Sequence, residues 1–131
     1  MPLSPGVSRE DSFTVDERRL TDVGGQLAVR VLSTPSMIAM IERNASILAA
    51  ENLPAGMATV GFEVCVKHVA AALEGARCTV TARLREVLDE RKLRFEVEVR
   101  EGARTIGVGT HERRVVDVRS HASSAGAGTD G

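Results

Sequence analysis

Residues 31–51, VLSTPSMIAMIERNASILAAE, decide how the rest of the chain must be arranged. Met37, Ile38, Ile41, Ala45, Leu48 and Ala49 recur at the spacing of one helical face. Thr34 is placed to cap this helix, its hydroxyl accepting a backbone N–H of the first turn. Pro35 then falls at the first helical position, where its missing N–H costs nothing. Residues 52–56, NLPAG, end the run with Pro and Gly. Only Arg43, Asn44 and Glu51 read as solvent-facing, so the helix is expected to be buried round most of its circumference. Glu42 is the exception. It lies one turn after Ile38, on or beside the apolar stripe, where a carboxylate is costly unless it is hydrogen-bonded or neutralised. For an isolated helix the plainer account is a margin residue that reaches water or pairs with Arg43.

Upstream of the helix the patterns are weak. Residues 1–12 are polar, contain Pro2 and Pro5, and are expected to form a flexible N-terminus. A short first strand is expected over Phe13 to Leu20, then a loop at Thr21 to Gly25. Downstream the period changes to two. In the strand expected from Thr59 to Ala72, Val60, Phe62, Val64, Val66 and His68 share one face. Gly61, Glu63, Cys65 and Lys67 share the other. Arg77 to Leu88 points Cys78, Val80, Ala82 and Leu84 inward. Lys92 to Arg100 alternates Leu93, Phe95, Val97 and Val99 with charged residues, and Thr105 to Val118 is the last strand. The polar tail 119–131 is expected to be disordered.

Four one-sided strands joined by tight turns predict a meander whose apolar face needs a cover. The helix is the available partner. The expected class is therefore α+β, a hot-dog fold: one domain, 13–118, with a curved antiparallel sheet wrapped around one long buried helix. Such a sheet leaves edges exposed, and joining two copies edge to edge covers them, so a homodimer is expected.

Composition narrows the function. Hydrophobic residues make up 43% of the 131-residue chain, enough for a core, but aromatics are only 2%. A stacking platform for single-stranded nucleic acid is therefore not expected. A net charge of −1 gives no footprint for nucleic acid or an anionic membrane. Cys65 and Cys78 form no zinc or redox motif and read as reduced thiols, small hydrophobes of a cytoplasmic protein. No run approaches membrane-spanning length. No metal site and no cofactor are expected.

Three residues carry the chemistry. His68 ends an apolar strand face, so alternation turns its ring toward the helix. A histidine there is by itself more often a hydrogen-bonded core residue. With Thr34 and Glu42 it makes a hydroxyl, carboxylate and imidazole set, the group content of acyl transfer. The N–H groups beside Thr34 suit a developing oxyanion. Gly61 either admits a close backbone approach or marks a bulge. His111-Glu112 begins like a zinc-protease motif, but Val115 stands four residues on and the segment is a strand. Arg113 reads by default as a solvated strand charge.

The segments VLSTPSMIAMIE, TVGFEVCVKHVAA and IGVGTHER resemble the fluoroacetyl-CoA thioesterase family of hot-dog proteins, in order and over residues 13–118. The resemblance implies a hot-dog dimer that hydrolyses an acyl-CoA thioester. It places the family's catalytic threonine on Thr34, its helix carboxylate on Glu42 and its histidine on His68. Its active-site glycine falls on Gly61 and the arginine of its THER segment on Arg113. The fluoroacetyl-specific form has a longer, phenylalanine-bearing lid before the helix, whereas TDVGGQLAVRVLS contains no Phe. A small or medium acyl group is accordingly the expected substrate. Two other uses of the fold are a non-catalytic acyl-CoA-binding or regulatory module and an enoyl-CoA hydratase or dehydratase.

Overall fold

The computed structural model describes residues 3–119. Strand β1 runs Ser8–Thr14, a 3₁₀ turn covers Glu17–Arg19, and the short strands β2 (Leu20–Thr21) and β3 (Val31–Leu32) pair with each other. Helix α1 spans Thr34–Ala50, and four long strands follow: β4 (Met57–His68), β5 (Arg77–Leu88), β6 (Lys92–Glu101) and β7 (Arg104–Asp117). The five main strands form one antiparallel sheet in the order β1-β5-β6-β7-β4, and α1 packs across it. One long helix against a five-stranded antiparallel sheet is the α+β arrangement that the hydrophobic periods predict.

The core lies between the two layers. Met37, Ile41, Ala45 and Leu48 of α1 meet Val80, Leu84, Phe95 and Val99 of the sheet, all buried. The expected inward faces of β5 and β6 are the observed ones. Alternation works there because each strand is paired on both sides, with one face on the helix and one on solvent.

The sheet is not the expected meander. Only β5, β6 and β7 follow one another as neighbours, while β4 lies beside β7 at the far edge. Residues 69–76 therefore cross the end of the sheet instead of making a hairpin. The crossing is pinned: Val69 and Ala70 donate to Ile106 O, Leu32 N donates to Ala72 O, and Gly75 N donates to Val15 O. A Glu-Gly turn signal shows that the chain bends, but not which strand it then joins.

The first strand also differs. It occupies Ser8–Thr14 instead of Phe13 to Leu20, so residues 8–12 belong to the sheet and not to a flexible N-terminus. Polar tethering replaces apolar alternation. Arg9 Nη1 donates to Asn44 Oδ1 at 2.6 Å, and Asn44 Nδ2 returns a bond to Arg9 O at 2.9 Å. Asn44, expected to face solvent, is 1% exposed because β1 covers that side of the helix. The tail expected to be disordered falls outside the described residues from position 120 onward.

A bulge in β4 changes which residues face the helix. Gly61 pairs with Arg113 and Glu63 with Glu112, leaving Phe62 as the extra residue. On the far side of the bulge, Val64 opposes His111 and His68 opposes Gly107. Simple alternation puts Val60 and Phe62 with Val64, Val66 and His68. The bulge reverses this. Gly61 turns to the helix side, while Phe62 is 58% exposed under the Arg114 guanidinium.

Candidate active site

The helix begins one residue earlier than expected. Ser33 is the cap: its backbone is extended and its Oγ accepts Ser36 N at 3.1 Å. Thr34 is thus the first helical residue and Pro35 the second, still within the turn whose N–H groups need no helical partner. The consequence is chemical. The Thr34 hydroxyl is released from capping and lies 2.7 Å from His68 Nδ1.

The sheet supplies the other half of this contact. His68 is the last residue of β4 and faces the helix opposite Gly107. A Cβ on Gly107 would lie 2.5 Å from Met37 Sδ, so the missing side chain makes the notch that Met37 fills. That notch sets the depth of the first helical turn beside His68. Burial lowers the His68 pKa and favours the neutral ring at neutral pH. Its Nε2 is buried without a hydrogen-bond partner among the described residues.

Glu42 belongs to a second cluster. Its Oε2 lies 4.0 Å from Arg113 Nη1 and 2.7 Å from where a Gly61 Cβ would stand, so Gly61 is what gives the carboxylate room. Glu42 is not deeply buried; its side chain is 43% exposed. Arg113 is the buried charge, 7% exposed at its side chain, and not a solvated one. Its Nε donates to Thr59 Oγ1 at 2.7 Å and its Nη2 to Thr59 O at 3.0 Å. Burial lowers its pKa, and the Glu42 charge works in the opposite direction.

His111 completes this cluster and was not among the residues expected to matter. Its ring is 1% exposed, stacks on Phe95, and lies 3.3 Å from Arg113 Nη1 through Nε2. The sequence held one signal for it. His111 shares strand parity with Val115 and with Gly107 and Gly109, all on the helix side of β7.

Within one chain the expected set does not converge. Thr34 contacts His68, and Glu42 contacts Arg113 beside Gly61. Thr34 and Glu42 are eight residues apart on α1, about 12 Å along the axis. Cys78 is a buried free thiol as expected, but Cys65 is exposed, because it points to the outer face of the edge strand.

The match to known proteins follows the same elements. Residues 15–119 match the model of the family described as FlK, fluoroacetyl-CoA-specific thioesterase. The chain belongs to this family. A fluoroacetyl-CoA thioesterase of Streptantibioticus cattleyicolor is 38% identical over 86 residues, 66% of this chain. That alignment spans 61% of the relative's length, about three fifths of it. A solved structure of the fluoroacetyl-CoA thioesterase FlK superposes with a TM-score of 0.85 at 27% identity, covering 98% of each chain. A hot-dog-like protein from Thermanaerovibrio acidaminovorans superposes at 0.84 with 20% identity, over 92% of this chain and 89% of its own, a likeness of fold alone. The family's fold is thus the one observed here, hot-dog.

Proposed function

We propose that this protein is an acyl-CoA thioesterase that hydrolyses a small or medium acyl thioester to the free acid and coenzyme A. The observation that carries the reading is the 2.7 Å contact between Thr34 Oγ1 and His68 Nδ1. It joins a hydroxyl to a base kept neutral by burial, within a family described as thioesterases.

The working unit in this reading is a homodimer. β4 is a 12-residue edge strand with Val60 and Phe62 exposed, and such an edge invites pairing. Antiparallel pairing of two such edges about a two-fold would bring the His68 end of one protomer's β4 toward the bulged end that holds Gly61 of the partner subunit. Thr34 and His68 then face Glu42 of the partner subunit, and Arg113 of the partner subunit stands behind that carboxylate. The gap of about 12 Å within one chain is closed by symmetry.

The thioester carbonyl sits between these halves. Thr34 donates to His68 and orients or attacks the carbonyl carbon. Glu42 orients water or meets the carbonyl from the other side, and Arg113 stabilises negative charge there. Addition of a water activated by His68 or Glu42 gives a tetrahedral oxyanion whose collapse expels the coenzyme A thiolate, which takes a proton and leaves as the thiol beside the free acid. Where Thr34 or Glu42 adds instead, the same collapse leaves an acyl-enzyme that a water then hydrolyses to the free acid, regenerating the side chain. The absence of Phe between Thr21 and Ser33 supports a general acyl group over fluoroacetyl. No helix among the described residues is long and apolar enough to cross a membrane, and both cysteines are free thiols, which together support a cytoplasmic setting.

The test is free-thiol release from acyl-CoAs of graded chain length, with an enoyl-CoA hydration assay alongside. Thiol release peaking at short or medium chains is the expected result. Hydration without thiol release assigns a hydratase, and tight binding with neither reaction assigns an acyl-CoA-binding module.

A further inference from the structure

His111 sits where four elements meet. From β7 it lies beside Arg113, β6 stacks Phe95 on its ring, β4 presents the Glu63 carbonyl, and α1 brings in Glu42. A Cβ built on Gly61 would lie 3.8 Å from its Cε1. The ring thus backs onto the same point that Glu42 and Arg113 share.

Hydrogen-bond chemistry fixes its protonation. A guanidinium has N–H donors and no acceptor. Arg113 Nη1, 3.3 Å from His111 Nε2, must donate, so Nε2 holds a lone pair. The proton is then on Nδ1, which donates to Glu63 O at 2.7 Å. Both ring nitrogens are satisfied only in this neutral form. An imidazolium would turn a second N–H against Arg113. Burial and the Arg113 charge both hold the ring's pKa down, against the Glu63 carbonyl and Glu42.

We infer that His111 is a positioning residue: a neutral ring with its proton on Nδ1, which aims Arg113 at Glu42 through one nitrogen and pins the β4 bulge at Gly61 through the other. The inference rests on the proposed roles of Glu42 and Arg113. It explains why a strand position inside the core carries a polar ring. Thr59 takes two of the Arg113 donors, Nε and one on Nη2. Without His111 nothing else described here accepts from Nη1 within hydrogen-bond distance, and the guanidinium is free to pivot about Thr59.

Two measurements test this on the whole chain. The first is nitrogen NMR of the His111 ring. The expected pattern is the neutral Nδ1–H tautomer, persisting to a lower pH than that at which an ordinary histidine titrates. An Nε2–H tautomer, or a ring that titrates normally, overturns the inference whether or not any thioester is hydrolysed. The second is kinetic. His111→Gln keeps an acceptor for Arg113 and is expected to retain most of kcat. His111→Phe keeps the stacking but removes both nitrogens and is expected to lower kcat tenfold or more, about the loss of one oriented contact, with a smaller change in KM. In a Glu42→Gln background the same change is expected to cost little further. A folded His111→Phe protein with full kcat overturns the positioning role. If the wild-type chain releases no thiol, the thioesterase reading fails first, and the ring's tautomer still decides the geometry. If His111→Phe does not fold, the NMR and the His111→Gln rescue decide it.

Discussion

Thr34 and His68, 34 residues apart in sequence, meet at 2.7 Å across the seam between α1 and β4. The meeting depends on a division of labour between adjacent residues. Ser33 caps the helix, so Thr34 need not. It depends also on Gly107, which lets Met37 draw the first turn against the sheet.

Removing the hydroxyl is therefore expected to disable the chemistry without disturbing the fold. Thr34→Ala is expected to lower kcat for acyl-CoA hydrolysis by about a hundredfold or more, the scale of a lost acid–base partner. Thr34→Ser is expected to keep a substantial part of it. Thiol-release kinetics, with melting temperatures as the control for folding, check this. Full activity in Thr34→Ala would remove Thr34 from the mechanism.

A site divided between subunits predicts complementation. Thr34→Ala and Glu42→Gln are each expected to be nearly inactive as homodimers. In a mixed dimer one of the two sites regains every wild-type group. Random reassortment is expected to restore about a quarter of wild-type turnover per chain. Mixing the two variants after mild dissociation and following thiol release checks this. Activity that stays at the level of the parents would place the whole set within one protomer.

Acid is expected to weaken both activity and fold. The His68 pKa is lowered by burial, and the His111 pKa by burial and by Arg113. With folded values below the unfolded one, the unfolded chain binds more protons in the interval between them. Stability is thus complete above the ordinary histidine pKa of about 6.5 and is lost as pH falls through the folded values. The base form of His68 likewise persists below the ordinary histidine range, so kcat/KM is expected to fall on the acid side with an apparent pKa below about 6.5. Urea unfolding and pH–rate profiles measure the two effects. A stability maximum on the acid side of that value contradicts both shifts.

Two glycines are expected to fail in different ways. In Gly61→Ala the new methyl meets the end of the Glu42 side chain, which is half exposed and can swing aside. Stability is expected to change little, while kcat falls as the carboxylate is displaced. In Gly109→Ala the methyl meets the Cys65 carbonyl within the β4–β7 ladder, where backbone must move. That substitution is expected to cost about 1–3 kcal/mol, as overpacking does. Chemical unfolding and steady-state kinetics on both variants separate the two effects. Equal losses of stability would show that Glu42 is held as firmly as the sheet.

Hydrophobic period was enough to define α1, β5 and β6, because each of those elements has one face on the core and one on solvent. It led directly to a helix laid on an antiparallel sheet. It misplaced β1, whose polar residues are held by Arg9 and Asn44 and not by apolar alternation. It also mistook the cap, since Ser33 and Thr34 have nearly the same capping chemistry and only the path of the chain selects one.

The residue types of the candidate site, Thr34, Glu42, Gly61, His68 and Arg113, were legible from motifs in three separate segments. Their grouping was not. The Phe62 bulge reverses the face of β4, bringing Gly61 to Glu42 and leaving His68 to Thr34. The strand crossing that sets β4 beside β7 brings Arg113 and His111 to the same point. Sequence alone determined which chemical groups this protein carries and which faces of β5 and β6 it buries, because both are local properties of composition and period. Tertiary structure alone decided which groups touch, because a bulge and a strand order are settled by backbone pairing between segments far apart in the chain.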